Sequence, residues 1–278
     1  MKIQLDHCDA RHPAAPARAA AALRGLSLQL RSGEQVAVIG PSGAGKTTLL
    51  HLLACALPPS SGALQLDGRD PWRLSRRELQ RLRGQLFLAP QVPPLPPRQR
   101  VVTAVLAARL PFESLWASLR SLFYPTDIAL ADQALAHFDL SDKLFERVDR
   151  LSGGERQRVG LARALASQAS LFLIDEPLSA LDPTRAAQAV ESLTRAAAER
   201  GATLVATLHH VEMALRHFPR IIGLRDGELA FDLPAAQVTP ARLHQLYEQH
   251  LDELTGGAAP ASPQDAPAAP APVVMHCR

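Results

Sequence analysis

Nine consecutive residues, GPSGAGKTT from Gly40 to Thr48, arrange three glycines around one lysine and two threonine hydroxyls. They fit the spacing G-x-x-x-x-G-K-[ST], in which the glycines let the backbone wrap a phosphate while successive amides point inward. The candidate phosphate-binding residues are therefore Gly40, Pro41, Ser42, Gly43, Ala44, Gly45, Lys46, Thr47 and Thr48. Lys46 would bridge the β- and γ-phosphates of a nucleoside triphosphate, and the Thr47 hydroxyl would bind Mg²⁺. The flanks are those the motif requires: the apolar run EQVAVIG leads into it and a helical pattern follows over 47–57.

A second stretch, LSGGERQRVGLARAL at 151–165, is a glycine-bearing polar loop that runs into a basic amphipathic helix. Backbone amides at such a helix N-terminus also suit phosphate. Why one chain should carry two phosphate grips is the question this stretch raises. Beyond them lie two further groups of chemical interest. LFLIDEP at 171–177 is an apolar strand ending in two carboxylates. Beside a phosphate loop, Asp175 suits the water shell of Mg²⁺, and Glu176 suits the orientation and deprotonation of an attacking water. TLHH at 207–210 ends another strand, so an imidazole there shares that sheet edge and can contact the γ-phosphate. His209, directly after the strand, is favoured over His210 for this contact.

The elements that must position these groups alternate. Residues 1–39 read as several short strands, and MKIQLDHCDA alternates apolar and polar as an edge or half-buried strand does. SGALQLDGRD returns to strand and turns at Asp67-Gly68. From about 98 to 166 the patterns are mostly helical, with Leu130, Ala134, Leu135 and Phe138 on one face of a single helix. Short apolar runs at LFLIDEP and GATLVATLHH flank an amphipathic helix at about 184–200, an alternation that predicts a mainly parallel α/β sheet. RIIGLRDGELAFD reads as a hairpin turning at Asp226-Gly227, and a last helix is predicted near 240–254. The tail from Gly256, nearly all Ala, Pro and Gly, lacks the apolar side chains to bury and is expected to be disordered.

Composition excludes several classes. With 278 residues, 47% hydrophobic and 21% charged, the chain reads as one soluble domain with a subdomain. Net charge is only +3, lysines occur solely at 2, 46 and 143, and there is no basic tract with interleaved aromatics. Direct binding of nucleic acid is therefore not expected. There is no secretory leader pattern and no apolar run of membrane-spanning length. Three scattered cysteines suit a reducing compartment and lack zinc-site spacing.

Six motifs stand in order: GPSGAGKTT, the glutamine of LFLAPQ, LSGGERQR, LFLIDEP, SALD and TLHH. As a set they resemble the nucleotide-binding subunit of an ABC transporter, over about residues 1–250. The resemblance implies a P-loop NTPase cassette of α/β class with a mainly parallel core sheet. It adds an N-terminal antiparallel β subdomain and an inserted α-helical subdomain at about 92–166, with the cassette ending at 254 and the tail covering 255–278. By resemblance, Gln91 senses Mg²⁺ and meets the membrane subunit, while Ser152, Gly153 and Gly154 form the signature loop. Asp182 communicates across a dimer and His209 is the switch histidine. His12 stands where the family commonly stacks an aromatic on adenine.

The resemblance also answers the question of the second grip. Two such subunits pack head to tail, and each ATP lies between one subunit's phosphate loop and the other's signature loop. The partners so implied are a second copy or a homologous cassette, integral membrane permease subunits and, through them, a periplasmic substrate-binding protein. ATP and Mg²⁺ are the implied cofactors, and the cytoplasmic face of the cell membrane the implied location. PRQRVVTAVLAARL, SLWASLRSLFYPTDIALADQAL and FPRIIGLRDGELAFD are similar to segments of phosphonate-importer ATPase subunits. Phosphonate, phosphite or another small oxyanion would be the cargo. A component of carbon–phosphorus bond-cleaving machinery and a non-transport ABC ATPase are the alternatives.

Overall fold

The apolar runs EQVAVI, LFLI and TLVAT become β3 (Gln35–Ile39), β6 (Leu171–Ile174) and β7 (Thr203–Thr207), and their side chains are buried on both sides. A strand covered on both faces has no solvent side, which is why these runs are continuously apolar instead of alternating. The computed structural model describes residues 1–11, 21–114, 116, 118–120, 127–178 and 180–248. Within them β5 (Leu86–Ala89), β6, β7, β3, β8 (Arg220–Arg225) and β9 (Glu228–Pro234) form one sheet in that order. The first five strands are parallel, and β9 returns antiparallel from β8. The β8–β9 turn has Asp226 and Gly227 both at positive φ, as the predicted Asp-Gly hairpin requires.

Alternate residues of the central strands feed two core layers. Val36, Val38, Leu171, Leu173 and Val205 pack with α1 (Lys46–Leu53) and with a smaller sheet of β2 (Leu23–Leu30), β1 (Ile3–Ala10) and β4 (Ser61–Leu66). Ala37, Ile39, Phe172, Ile174 and Leu204 face the other way, toward helices. The smaller sheet is antiparallel throughout. Its β1 is the middle strand, not an edge as its sequence allowed. Ile3 and Leu5 point into the core while Asp6 is exposed, so alternation was present, but it does not say how many neighbours a strand has.

The described residues between β5 and β6 are mostly helical: α2 (Arg76–Gly84) precedes β5, and α3 (Val101–Leu106), α4 (Ile128–Ala136) and α5 (Gly153–Ala166) follow it and pack on one another. On α4 and just beyond it Ala134, Leu135 and Phe138 are buried, and Leu130 is partly covered. The amphipathic helix read from sequence is α6 (Pro183–Glu199), capped by Asp182 and with proline in its first turn. After α7 (Val211–His217) and the β8–β9 hairpin, α8 runs Pro240–Leu246 and is capped at Tyr247. It is shorter than the predicted 240–254, of which 249–254 lie outside the described residues, as does the whole tail. No helix among the described residues is long and apolar enough to cross a membrane.

Candidate functional site

Every parallel strand delivers its C-terminal end to the same edge of the large sheet, and ligands of such sheets bind there. β3 ends in the phosphate loop, β5 in Ala89 two residues before Gln91, β6 in Ile174 just before Asp175 and Glu176, and β7 in Thr207 two residues before His209. Because β5, β6, β7 and β3 are neighbours in that order, residues far apart in sequence converge on one cleft. It is open, about 490 Å³, and lined by Ala22, by Ser42 to Thr48, and by Gln91, Glu176 and His209.

The phosphate loop is shaped by glycines at two tight places. Gly40 has φ +153°, and a Cβ there would lie 2.1 Å from the Leu224 carbonyl of β8. Gly45 has φ +97° and would meet the Ala22 carbonyl at 2.5 Å. No L side chain fits either. Gly45 also caps α1, whose first turn holds no acidic residue and receives no side-chain cap. That leaves amides and the positive end of the helix dipole for an anion. Lys46, only 5% exposed, lays its ammonium along the loop and donates to the carbonyls of Gly40 (2.7 Å) and Pro41 (3.1 Å).

Glu176 is held from three sides. Gln91 Nε2 donates to its Oε2 at 2.7 Å, His209 Nε2 contacts its Oε1, and its backbone N–H donates to Thr207 Oγ1 at 2.9 Å. Its φ of +45° is unusual for a non-glycine and turns the backbone sharply off β6. Burial pushes the Glu176 carboxyl up, but the hydrogen bond and charge of His209, with Lys46 behind it, outweigh this and hold it below the ordinary carboxylate value. A carboxylate whose folded-state pKa is depressed contributes stability that is complete above the unfolded value and is lost as pH falls through the lower folded value. The melting-temperature advantage of wild type over Glu176→Gln should therefore narrow between about pH 6 and about pH 3. A calorimetric difference that stays constant over that range would contradict the assignment.

Asp175 does not line the cleft. It is 6% exposed, accepts a hydrogen bond from Thr207 Oγ1 at 2.7 Å, and borders a small cavity of about 80 Å³ beside Gln157 and Pro93. Adjacent residues at a strand end point to opposite faces, so Asp175 and Glu176 diverge. Thr207 links them: its hydroxyl donates to Asp175 and accepts from Glu176. Nothing in the sequence beyond a threonine closing an apolar strand pointed to it. His210 is exposed at the N-cap position of α7, makes no side-chain cap hydrogen bond and does not line the cleft.

The signature segment and Asp182 are outside this cleft. Ser152 and Glu155 form a reciprocal capping box at the start of α5, with bonds of 3.2 and 2.7 Å, and Ser152 and Gly153 are exposed. Gly154 packs so tightly on the Ala180 carbonyl that a Cβ would lie 2.9 Å from it, joining this loop to the SALD segment. The exposed Asp182 accepts from Arg185 N, and this bond lowers its pKa. His12 lies outside the described residues.

A phosphate loop on a parallel sheet, with a carboxylate and an imidazole at the same edge, defines a nucleoside-triphosphate-hydrolysing cassette. The chain belongs to the ABC transporter family, whose model matches residues 23–179. It is an ABC ATPase, with the α/β cassette fold and two sheets expected from sequence. It is 77% identical over the full length of both chains to the Phosphonates import ATP-binding protein PhnC of Polaromonas sp. strain JS666. It is 74% identical, again over both full lengths, to Phosphonates import ATP-binding protein PhnC 2 of Albidiferax ferrireducens. Among solved structures it resembles the dimeric bacterial ABC transporter cassette MJ0796, with TM-score 0.71 and 28% identity over 84% of this chain and 98% of that one. The same cassette in a post-hydrolysis state with ADP and Pi gives TM-score 0.70 and 27% identity, with the same coverage.

Proposed function

We propose that this chain is the ATP-hydrolysing subunit of a phosphonate importer, working at the cytoplasmic face of the membrane as a nucleotide-sandwich dimer beneath permease subunits. A periplasmic binding protein would deliver the cargo to those subunits. The observation that carries the substrate class is the 77% full-length identity to a phosphonate-import ATP-binding protein. Because the cargo does not bind this subunit, its own cleft supports only the ATP chemistry. The cassette would comprise residues 1–254, with the helical part at about 92–166.

In this reading Gly40 to Thr48 cradle the phosphates and Lys46 neutralises charge on the β- and γ-groups. Glu176, ionised and held at both oxygens, takes a proton from the attacking water. His209 positions Glu176 and reports the γ-phosphate. The oxygen donors Thr47 and Gln91, both lining the cleft, fit Mg²⁺. No cluster of three His, Cys, Asp or Glu among the described residues would hold a metal alone, which suits an ion bound largely through phosphates and water. When bound, Mg²⁺ would neutralise charge on the phosphate oxygens. Asp175, buried on Thr207, would act on it through water or by orienting Thr207. Ser152, Gly153 and Gly154 would clasp the partner's ATP, and Asp182 would signal between the two sites.

The test is uptake. Cells lacking the gene should lose initial uptake of a labelled phosphonate and regain it with wild type but not with the Glu176→Gln variant. Retained uptake with loss of carbon–phosphorus cleavage would move the chain to the cleavage machinery. Loss of neither would contradict both readings.

A further inference from the structure

We propose that Tyr247, beyond the segment matched by the family model, is a positioning residue for the phosphate loop. It acts through the hydrogen bond that its hydroxyl accepts from the Gly40 N–H at 3.1 Å. Tyr247 is 1% exposed, and 207 residues separate the two partners. Gly40 is then held on both sides of its Cα, its N–H by Tyr247 and its carbonyl by Lys46 Nζ, which donates to it at 2.7 Å. Its Cα is pressed against the Leu224 carbonyl. The neighbouring Arg225 fixes the end of α8 where Tyr247 sits, donating to the Gln245 carbonyl at 2.6 Å and reaching Glu248 at 3.4 Å.

The two peptide planes that flank the Gly40 Cα each have one polar group engaged, so φ and ψ of Gly40 cannot change freely without breaking a buried bond. A change of backbone angle at Gly40 would displace the carbonyl that anchors Lys46. The hydroxyl of Tyr247 thus sets the Lys46 ammonium at one remove, from an element that carries none of the six motifs. A purely packing role for the ring would be met equally well by phenylalanine.

This inference rests on reading Gly40 to Thr48 as the nucleotide site, and Lys46→Ala separates the two. If that reading fails, Lys46→Ala binds ATP normally. If only the inference fails, Lys46→Ala is impaired and Tyr247→Phe is not. The experiment uses the full chain, measuring ATP affinity by titration calorimetry and amide exchange at Gly40 by NMR. Tyr247→Phe should raise the ATP dissociation constant by about five- to tenfold and speed exchange at Gly40 while Val38 stays protected. Leu246→Ala, which cuts a buried side chain next to Tyr247 but leaves the hydroxyl, should keep affinity within about twofold. Unchanged exchange at Gly40 in Tyr247→Phe would overturn the proposal. So would ATP affinity within twofold of wild type, or an equal loss in Leu246→Ala.

Discussion

Lys46→Ala is expected to remove ATP turnover to background and to weaken ATP binding by roughly a hundredfold or more. Two unit charges about 4 Å apart interact by about 4 kcal/mol at an effective dielectric of 20, and about 1.4 kcal/mol is a factor of ten. Lys46 faces more than one phosphate charge in the proposed complex, although desolvation offsets part of the gain. The residue is also built into the loop, so alanine strips a donor from the Gly40 and Pro41 carbonyls. Because a ligand that binds only the folded state raises its melting temperature, the variant should lose the ATP-induced thermal shift as well as activity. Calorimetric affinity within a fewfold of wild type would refute Lys46 as the phosphate lysine.

The second large effect concerns Glu176. Glutamine keeps the shape of the side chain and cannot take a proton, so Glu176→Gln should lower kcat by about 10²- to 10⁴-fold, the range general-base catalysis contributes. The Michaelis constant for ATP should not rise, because the negative charge opposes the γ-phosphate in the ground state. Gln91 and His209 both present nitrogen to this carboxylate, so the amide of glutamine meets a donor on one side. A flip of the exposed Gln91 amide relieves that conflict. Substitution of His209 by alanine should cost less, since it removes a positioning contact and leaves the base.

Much of this site was readable before the fold. The three apolar runs that became β3, β6 and β7 announced buried strands, and they led into the phosphate loop, the Asp175-Glu176 pair and the His209 segment in turn. A parallel sheet sends those ends to one edge, so their convergence followed from the alternation of strand and helix. The Asp226-Gly227 hairpin was legible because its turn chemistry is local. The contacts that were not legible are those set by register and packing. Thr207 joins Asp175 to Glu176 only because Ile174 pairs with Ala206, one residue before it. The burial of Asp175 away from the cleft depends on which face of β6 it continues. Tyr247 meets Gly40 across 207 residues, and α8 gives no sign of its docking site in its own pattern.

The dimer assay bears most directly on the claim that two phosphate grips in one chain serve two different nucleotides. The Glu176→Gln protein should elute as a monomer without nucleotide and with ADP, and as a dimer with Mg-ATP. Slowed hydrolysis leaves the ATP in place between the two copies. Ser152→Arg in the same background should abolish the dimer, because Ser152 is exposed at the start of α5 and a bulky cation there blocks the contact with the partner's γ-phosphate. Arginine also breaks the capping box, so its melting temperature should be recorded, with a loss of about 1 kcal/mol expected from the cap alone. Size-exclusion chromatography with light scattering reads the outcome. Dimerisation of Glu176→Gln with Mg-ATP, absent in the double variant while it remains folded, is the predicted result. The same oligomeric state in both proteins, with and without ATP, would contradict the signature loop as the second nucleotide grip.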